Sequence, residues 1–227
     1  MYEDERAGSK PPAPSTSFQG REPPGTDLSR IISLSDGVFA FALTLLALSL
    51  AVPALSLPGG TPNSAVSGKL ASVLQGDWTI FVGYVFAFVM IALWWVNHHR
   101  TFRFIERYDT VLIWLNLILL MQIAVMPFVL SVYTHYDDTQ TAVGLFSAIQ
   151  ASCGFTLGGI WWYATHTHLT DPKLDPRIVR YFRRRGAIVP LFFVAALGVT
   201  FVSVSGAELV WIAAIVSQRF TARYGTS

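Results

Sequence analysis

Residues 30–50 read RIISLSDGVFAFALTLLALSL, and the fold turns on this stretch. It joins Arg30, Ser35 and Asp36 to an apolar run that continues to Val52. As a helix, residues 31–52 extend roughly 33 Å, enough to cross the hydrocarbon core of a bilayer. Asp36 lies inside the run. An ionisable group at membrane depth is costly, so it is normally paired and often functional.

The rest of the chain fits the same setting. Hydrophobic residues make up 52%, charged residues 13%, and mean hydropathy is +0.47. A soluble domain carries about twice that charge. The apolar residues fall in long blocks, so the expected class is an all-α integral membrane protein. The single cysteine, Cys153, excludes an internal disulfide and a cysteine-rich metal site, and reads as a packed thiol.

Six spans are expected, at 28–51, 77–103, 109–133, 139–165, from the basic segment 177–185 on to 204, and at 206–219. Asp27 is the candidate cap of the first, and Pro127 a kink in the third. A short surface helix is expected at 65–75, after a Pro/Gly loop at 53–64. Residues 1–27 read as a disordered cytoplasmic tail, 28–220 as the membrane domain and 221–227 as a short second tail. Glu208, near the start of the sixth span, fits that span poorly.

The charges test this layout. All sixteen basic residues but Lys69 fall on one side of it. They lie before or at the start of the first span, at 100–107, at 173–185, and after the sixth. The positive-inside rule then places both termini in the cytoplasm. Trp and Tyr residues gather near span ends, as an interfacial belt requires.

Two readings of the first span stand from its residues alone. Phe41, Thr44, Leu45 and Leu48 share one helical face, while Ser35 and Asp36 point away from it. The stripe is either ordinary packing, with Asp36 a salt-bridged anchor, or the wall of a pore in an oligomer. The second span ends in WWVNHHRTFRF, which clusters Trp94, Trp95, Asn97, His98, His99 and Arg100. His98 or His99 is expected to hydrogen-bond Asp36 or Ser35. Neighbouring histidines point about 100° apart on a helix, so no metal site is assigned. Asn116 is an amide in an apolar run and needs an interhelical partner. No GxSxG, HExxH, Walker loop or carboxylate pair is present, so an enzyme is not expected. A TVGYG-like filter is also missing.

Arg30-x3-Leu34-Ser35-Asp36 followed by GVFAFALTLL resembles the RxxxFSD signature of the lysosomal potassium channel family. WWVNHHRTFRF and the stretch from Asn116 through Pro127 and Phe128 are similar to its second and third helices. The resemblance covers roughly residues 28–220. It implies a six-helix bacterial-type subunit in the plasma membrane, assembled as a homotetramer and permeable to K+, with no cofactor and no nucleic-acid partner. It implies a pore lined by the first helix, with Phe41, Leu45 and Leu48 as constriction and Thr44 as a hydroxyl layer. Arg30, Ser35, Asp36, Trp95, His98, His99 and Asn116 would form a bracing network on the cytoplasmic side. Two positions depart from the family. Leu34 replaces a usual Phe and is expected to keep its packing role. Phe41 replaces a usual Ile or Leu, and a ring there narrows the pore. A proton-coupled transporter using Asp36 and the histidines, and a scaffold without transport, are the competing readings.

Overall fold

The computed structural model describes residues 26–48, 55, 58–76, 78–136 and 138–222. The expected tails lie outside these apart from their innermost residues. The helices are α1 (Thr26–Leu48), α2 (Asn63–Gly76), α3 (Trp78–Phe102), α4 (Thr110–His135), α5 (Gln140–His166), α6 (Pro176–Thr200) and α7 (Val204–Ala222). Among the described residues there is no strand beyond an isolated Ile105–Thr170 bridge. Among the described residues four helices are long and apolar enough to cross a membrane: α1, α3, α4 and α5. α6 carries five arginines in its first ten residues, which takes it below that standard.

Local chemistry sets several boundaries. Asp109 caps α4 by accepting from Leu112 N at 2.8 Å, and Thr139 caps α5 by accepting from Ala142 N at 3.3 Å. Asp175 accepts from Arg177 N at 2.7 Å, with Pro176 in the first turn of α6. This cap makes the basic segment the first part of one continuous helix rather than a separate element. α1 starts at Thr26, so Asp27 sits inside the first turn and not at the cap. His168, at φ 56°, takes the left-handed position after α5, and Leu169 N donates back to Ala164 O at 2.9 Å.

α5 lies against α6 and α4, α6 against α7, and α1 against α4 and α3. Two glycines permit a close crossing. A Cβ on Gly158 would stand 2.8 Å from Gly186 O, so α5 and α6 meet backbone to backbone. Glu208 finds its partner on another helix: Tyr133 Oη donates to Glu208 Oε1 at 2.6 Å and ties α4 to α7. Beside it Trp211 packs on Phe146 at 4.4 Å and donates to Ser147 Oγ at 3.0 Å. The Cys153 thiol is fully buried.

Asp109 does more than cap α4. Its Oδ2 accepts from Tyr163 Oη at 2.5 Å, which pins α5 to the start of α4. Burial alone would raise the Asp109 pKa. The hydrogen bonds from Tyr163 and from backbone N–H groups outweigh burial and hold it below the ordinary aspartate value. A lowered folded pKa means stability that is complete above the unfolded pKa and is lost as pH falls through the folded one. Asp109→Asn keeps a capping oxygen but removes the charge. The gap in thermal midpoint between wild type and Asp109→Asn should be widest at neutral pH and close as the pH falls below the ordinary aspartate range. A gap that persists unchanged in acid would show that the charge is not the cause. Asp109→Ala, which also removes the cap, should cost about 1 kcal/mol at neutral pH.

Candidate functional site

α1 has two unlike faces. Ser35, Phe39, Ala42 and Leu46, spaced four, three and four apart, are buried against α3 and α4. On the other side Leu34 is 52% exposed, Phe41 64% and Leu48 79%. Thr44 is also exposed and Leu45 is half-buried at the edge. A Cβ on Gly37 would meet nothing within 4 Å, so this glycine leaves the same face open. Thr44 Oγ1 donates to Phe41 O at 2.8 Å, which leaves its lone pairs turned outward. Leu34 therefore does not take the packing role expected of it within the subunit. It stands on the bare stripe, in helical register with Phe41.

The polar residues gather on the packed side. Ser35 Oγ donates to Ile31 O at 2.9 Å and accepts from Asn116 Nδ2 at 3.0 Å. Asn116 Oδ1 accepts from His98 Nε2 at 2.9 Å. This direction, with the amide oriented as it is, puts a hydrogen on Nε2 of His98. All three side chains are buried. The His98 ring lies over Phe102 at 4.2 Å and near Phe39 at 5.6 Å, so the chain of bonds runs through apolar surroundings. Each member is satisfied by another, which makes the burial tolerable.

Asp36 is held separately. Trp95 Nε1 donates to Asp36 Oδ1 at 2.8 Å, and the indole stacks on His99 at 5.7 Å. The partner of the carboxylate is a neutral indole, where a salt bridge or an imidazole was expected. His98 reaches Ser35 only through Asn116. The reason is depth: His98 and Asn116 are buried together, while Asp36 sits at a half-exposed edge beside Trp95. Among the described residues no hydrogen bond joins Arg30 or His99 to the network. Arg30 is exposed at the start of the bare stripe. Ser35, Asn116 and His98 tie α1, α4 and α3 together, and Asp36 with Trp95 adds a second tie from α1 to α3. Among the described residues no group of three metal-binding side chains forms.

Other buried polar residues escape the sequence reading. Trp94 Nε1 donates to Gln150 Oε1 at 2.8 Å, and Gln122 Nε2 donates to Ser152 Oγ at 2.8 Å and to Thr156 Oγ1 at 3.1 Å. Both glutamines carry the signal that singles out Asn116, an amide inside an apolar run.

A helical bundle with four membrane-length apolar helices, and a first helix packed on one side only, defines a multi-pass membrane protein. Residues 30–127 match the profile of the endosomal/lysosomal potassium channel family TMEM175. A potassium channel of Streptomyces collinus is 35% identical over 179 residues, covering 77% of this chain and 82% of that protein. One from Chamaesiphon minutus is 28% identical over 186 residues, covering 80% and 88%. The crystal structure of a lysosomal potassium-selective channel TMEM175 homolog from Chamaesiphon minutus superposes with a TM-score of 0.69 at 25% identity. It covers 88% of this chain and 99% of that one. The chain belongs to the TMEM175 family, which is a family of channels and not of enzymes.

Proposed function

We propose that this chain is the subunit of a homotetrameric, potassium-permeable channel in a bacterial-type cell membrane. The observation that carries the reading is the bare stripe of α1 in a member of this channel family. Arg30, Leu34, Gly37, Phe41, Thr44 and Leu48 follow one another along a helix whose opposite face is fully packed. Four such stripes facing a common axis enclose a path. Rings of Phe41, Leu45 and Leu48 form its hydrophobic barrier, and dewetting closes it to ions. Thr44, with its hydrogen already donated to Phe41 O, offers an oxygen to a partly dehydrated cation.

In this reading α6 and α7 also cross, which gives six spans, and α2 lies on the outer surface. The loops at 103–109 and 167–175 and the basic start of α6 share one end of the bundle. The positive-inside rule makes that end, and both termini, cytoplasmic. The Ser35–Asn116–His98 chain braces the pore helix from behind. It ends on the Ile31 carbonyl within α1, which suits a brace better than a proton path across the membrane.

The test is planar-bilayer recording of the purified protein, with native mass spectrometry of the same sample. Unitary potassium currents from a tetramer are expected. Saturable flux without unitary steps would favour a carrier, and an intact assembly with neither would favour a scaffold.

A further inference from the structure

We propose that the outward stripe of α6 holds an anionic phospholipid of the leaflet at the basic end of the bundle. Its phosphate sits between Arg180 and Arg184, and an acyl chain lies along Ile188, Leu191 and Ala195. This rests on α6 crossing the membrane, as read above, and not on the chain conducting ions. Arg177, Arg180, Arg184, Ile188, Leu191 and Ala195 follow one another at steps of three or four residues, and all are exposed except for a single shared helical face behind them. That opposite face carries Val189, Phe193, Ala196 and Thr200, which are buried. One open stripe therefore begins as guanidinium and continues as hydrocarbon.

The helix gives these arginines no counter-charge, since α6 contains no aspartate or glutamate. The two carboxylates just before it hold the turn into the helix. Asp175 accepts from Arg177 N at 2.7 Å, and Asp171 accepts from Lys173 N at 2.8 Å. Among the described residues no carboxylate pairs with Arg177, Arg180 or Arg184. Depth selects the source of the missing anion. The apolar part of α6, residues 186–200, rises roughly 21 Å, short of the hydrocarbon core of about 30 Å. That mismatch draws the arginines to the level of the phosphates rather than out into water. From Arg184 to Ala195 the helix rises roughly 16 Å, the depth of one hydrocarbon leaflet. Arg180 and Arg184 stand one turn apart, and guanidinium N–H donors bind phosphate oxygens in pairs. A soluble anion would match only the arginines, and a neutral lipid only the apolar half. The joined stripe fits a molecule with both parts.

The experiment is fluorescence quenching at one labelled position of the full chain in liposomes. Cys153 is buried, so a fluorophore on Leu191→Cys reports the stripe, and one on Phe201→Cys reports the far end of α6, which is exposed and has no arginine beside it. Each is reconstituted in mixtures of dioleoylphosphatidylcholine and dioleoylphosphatidylglycerol, with one lipid or the other brominated on its chains. The two quenching series give the preference for the anionic lipid at that position. It should be at least about fivefold at Leu191→Cys and less than about twofold at Phe201→Cys. Adding Arg180→Gln and Arg184→Gln should bring Leu191→Cys below about twofold. Equal preferences at the two labels would overturn the proposal even if the arginine variant does not fold, and so would a preference that survives loss of both arginines. Loss of the preference in phosphate but not in chloride of equal ionic strength would make this a free-anion site and not a lipid site. Quenching at Phe201→Cys alone would put another subunit on the stripe, which also overturns the proposal. Quenching at neither label would overturn the crossing of α6 itself, whereas equal quenching by both lipids would leave that crossing intact and reject only the anionic site.

Discussion

Phe41→Asn should raise potassium flux through reconstituted protein by at least about tenfold, which corresponds to lowering the barrier by about 1.4 kcal/mol. Phe41→Ala should raise it less. The difference separates two ways of closing a pore. If the ring blocks only by size, alanine opens the path more than asparagine does. If the ring excludes water, polarity matters as much as width, and an amide wets the constriction where a methyl group does not. Phe41 is 64% exposed in the subunit, so neither change opens a cavity in its core. In the Phe41→Asn background Thr44→Val should keep the raised flux and change which cation passes, because it removes the outward oxygen. The readout is potassium efflux from liposomes, with assembly checked on the same sample. If Phe41→Asn gives wild-type efflux from an intact tetramer, the bare stripe of α1 faces lipid or another helix, and the pore lies elsewhere.

The two faces of α1 were legible because a period of 3.6 residues separates Ser35 from Phe41 whatever else the chain does. The starts of α4 and α5 were legible for a similarly local reason, since Asp109 and Thr139 stand where a side-chain oxygen can meet the first free N–H groups. Partners were not. Asn116 announces that it needs a hydrogen bond, but nothing near it in sequence points to Ser35 or His98. Glu208 looked misplaced because its partner, Tyr133, lies on another helix. The approach of Gly158 to Gly186 depends on how α5 and α6 cross, which neither helix encodes alone. Leu34 shows the converse. Its neighbours Ser35 and Asp36 face the packed side, and one step along a helix is enough to turn Leu34 onto the bare one.

Asn116→Leu should destabilise the protein by roughly 1–3 kcal/mol, because it strands the buried His98 Nε2–H and takes away one of the two hydrogen bonds of Ser35 Oγ. His98 loses the acceptor for Nε2, and Ser35 loses the donor to Oγ. Single interhelical hydrogen bonds in membranes are worth less, about 0.6 kcal/mol on average. The larger figure applies because the His98 ring is buried, while Ser35 Oγ keeps its bond to Ile31 O. Replacing all three polar groups, as Ser35→Ala, His98→Phe and Asn116→Leu, should recover much of the loss, since no unpaired polar atom then remains. Unfolding in detergent against denaturant measures both steps. The same triple variant tests the role of the network. Potassium flux that survives in it assigns Ser35, Asn116 and His98 to bracing α1. Loss of flux from an intact tetramer would place them in the ion path, and the transporter reading would then replace the brace.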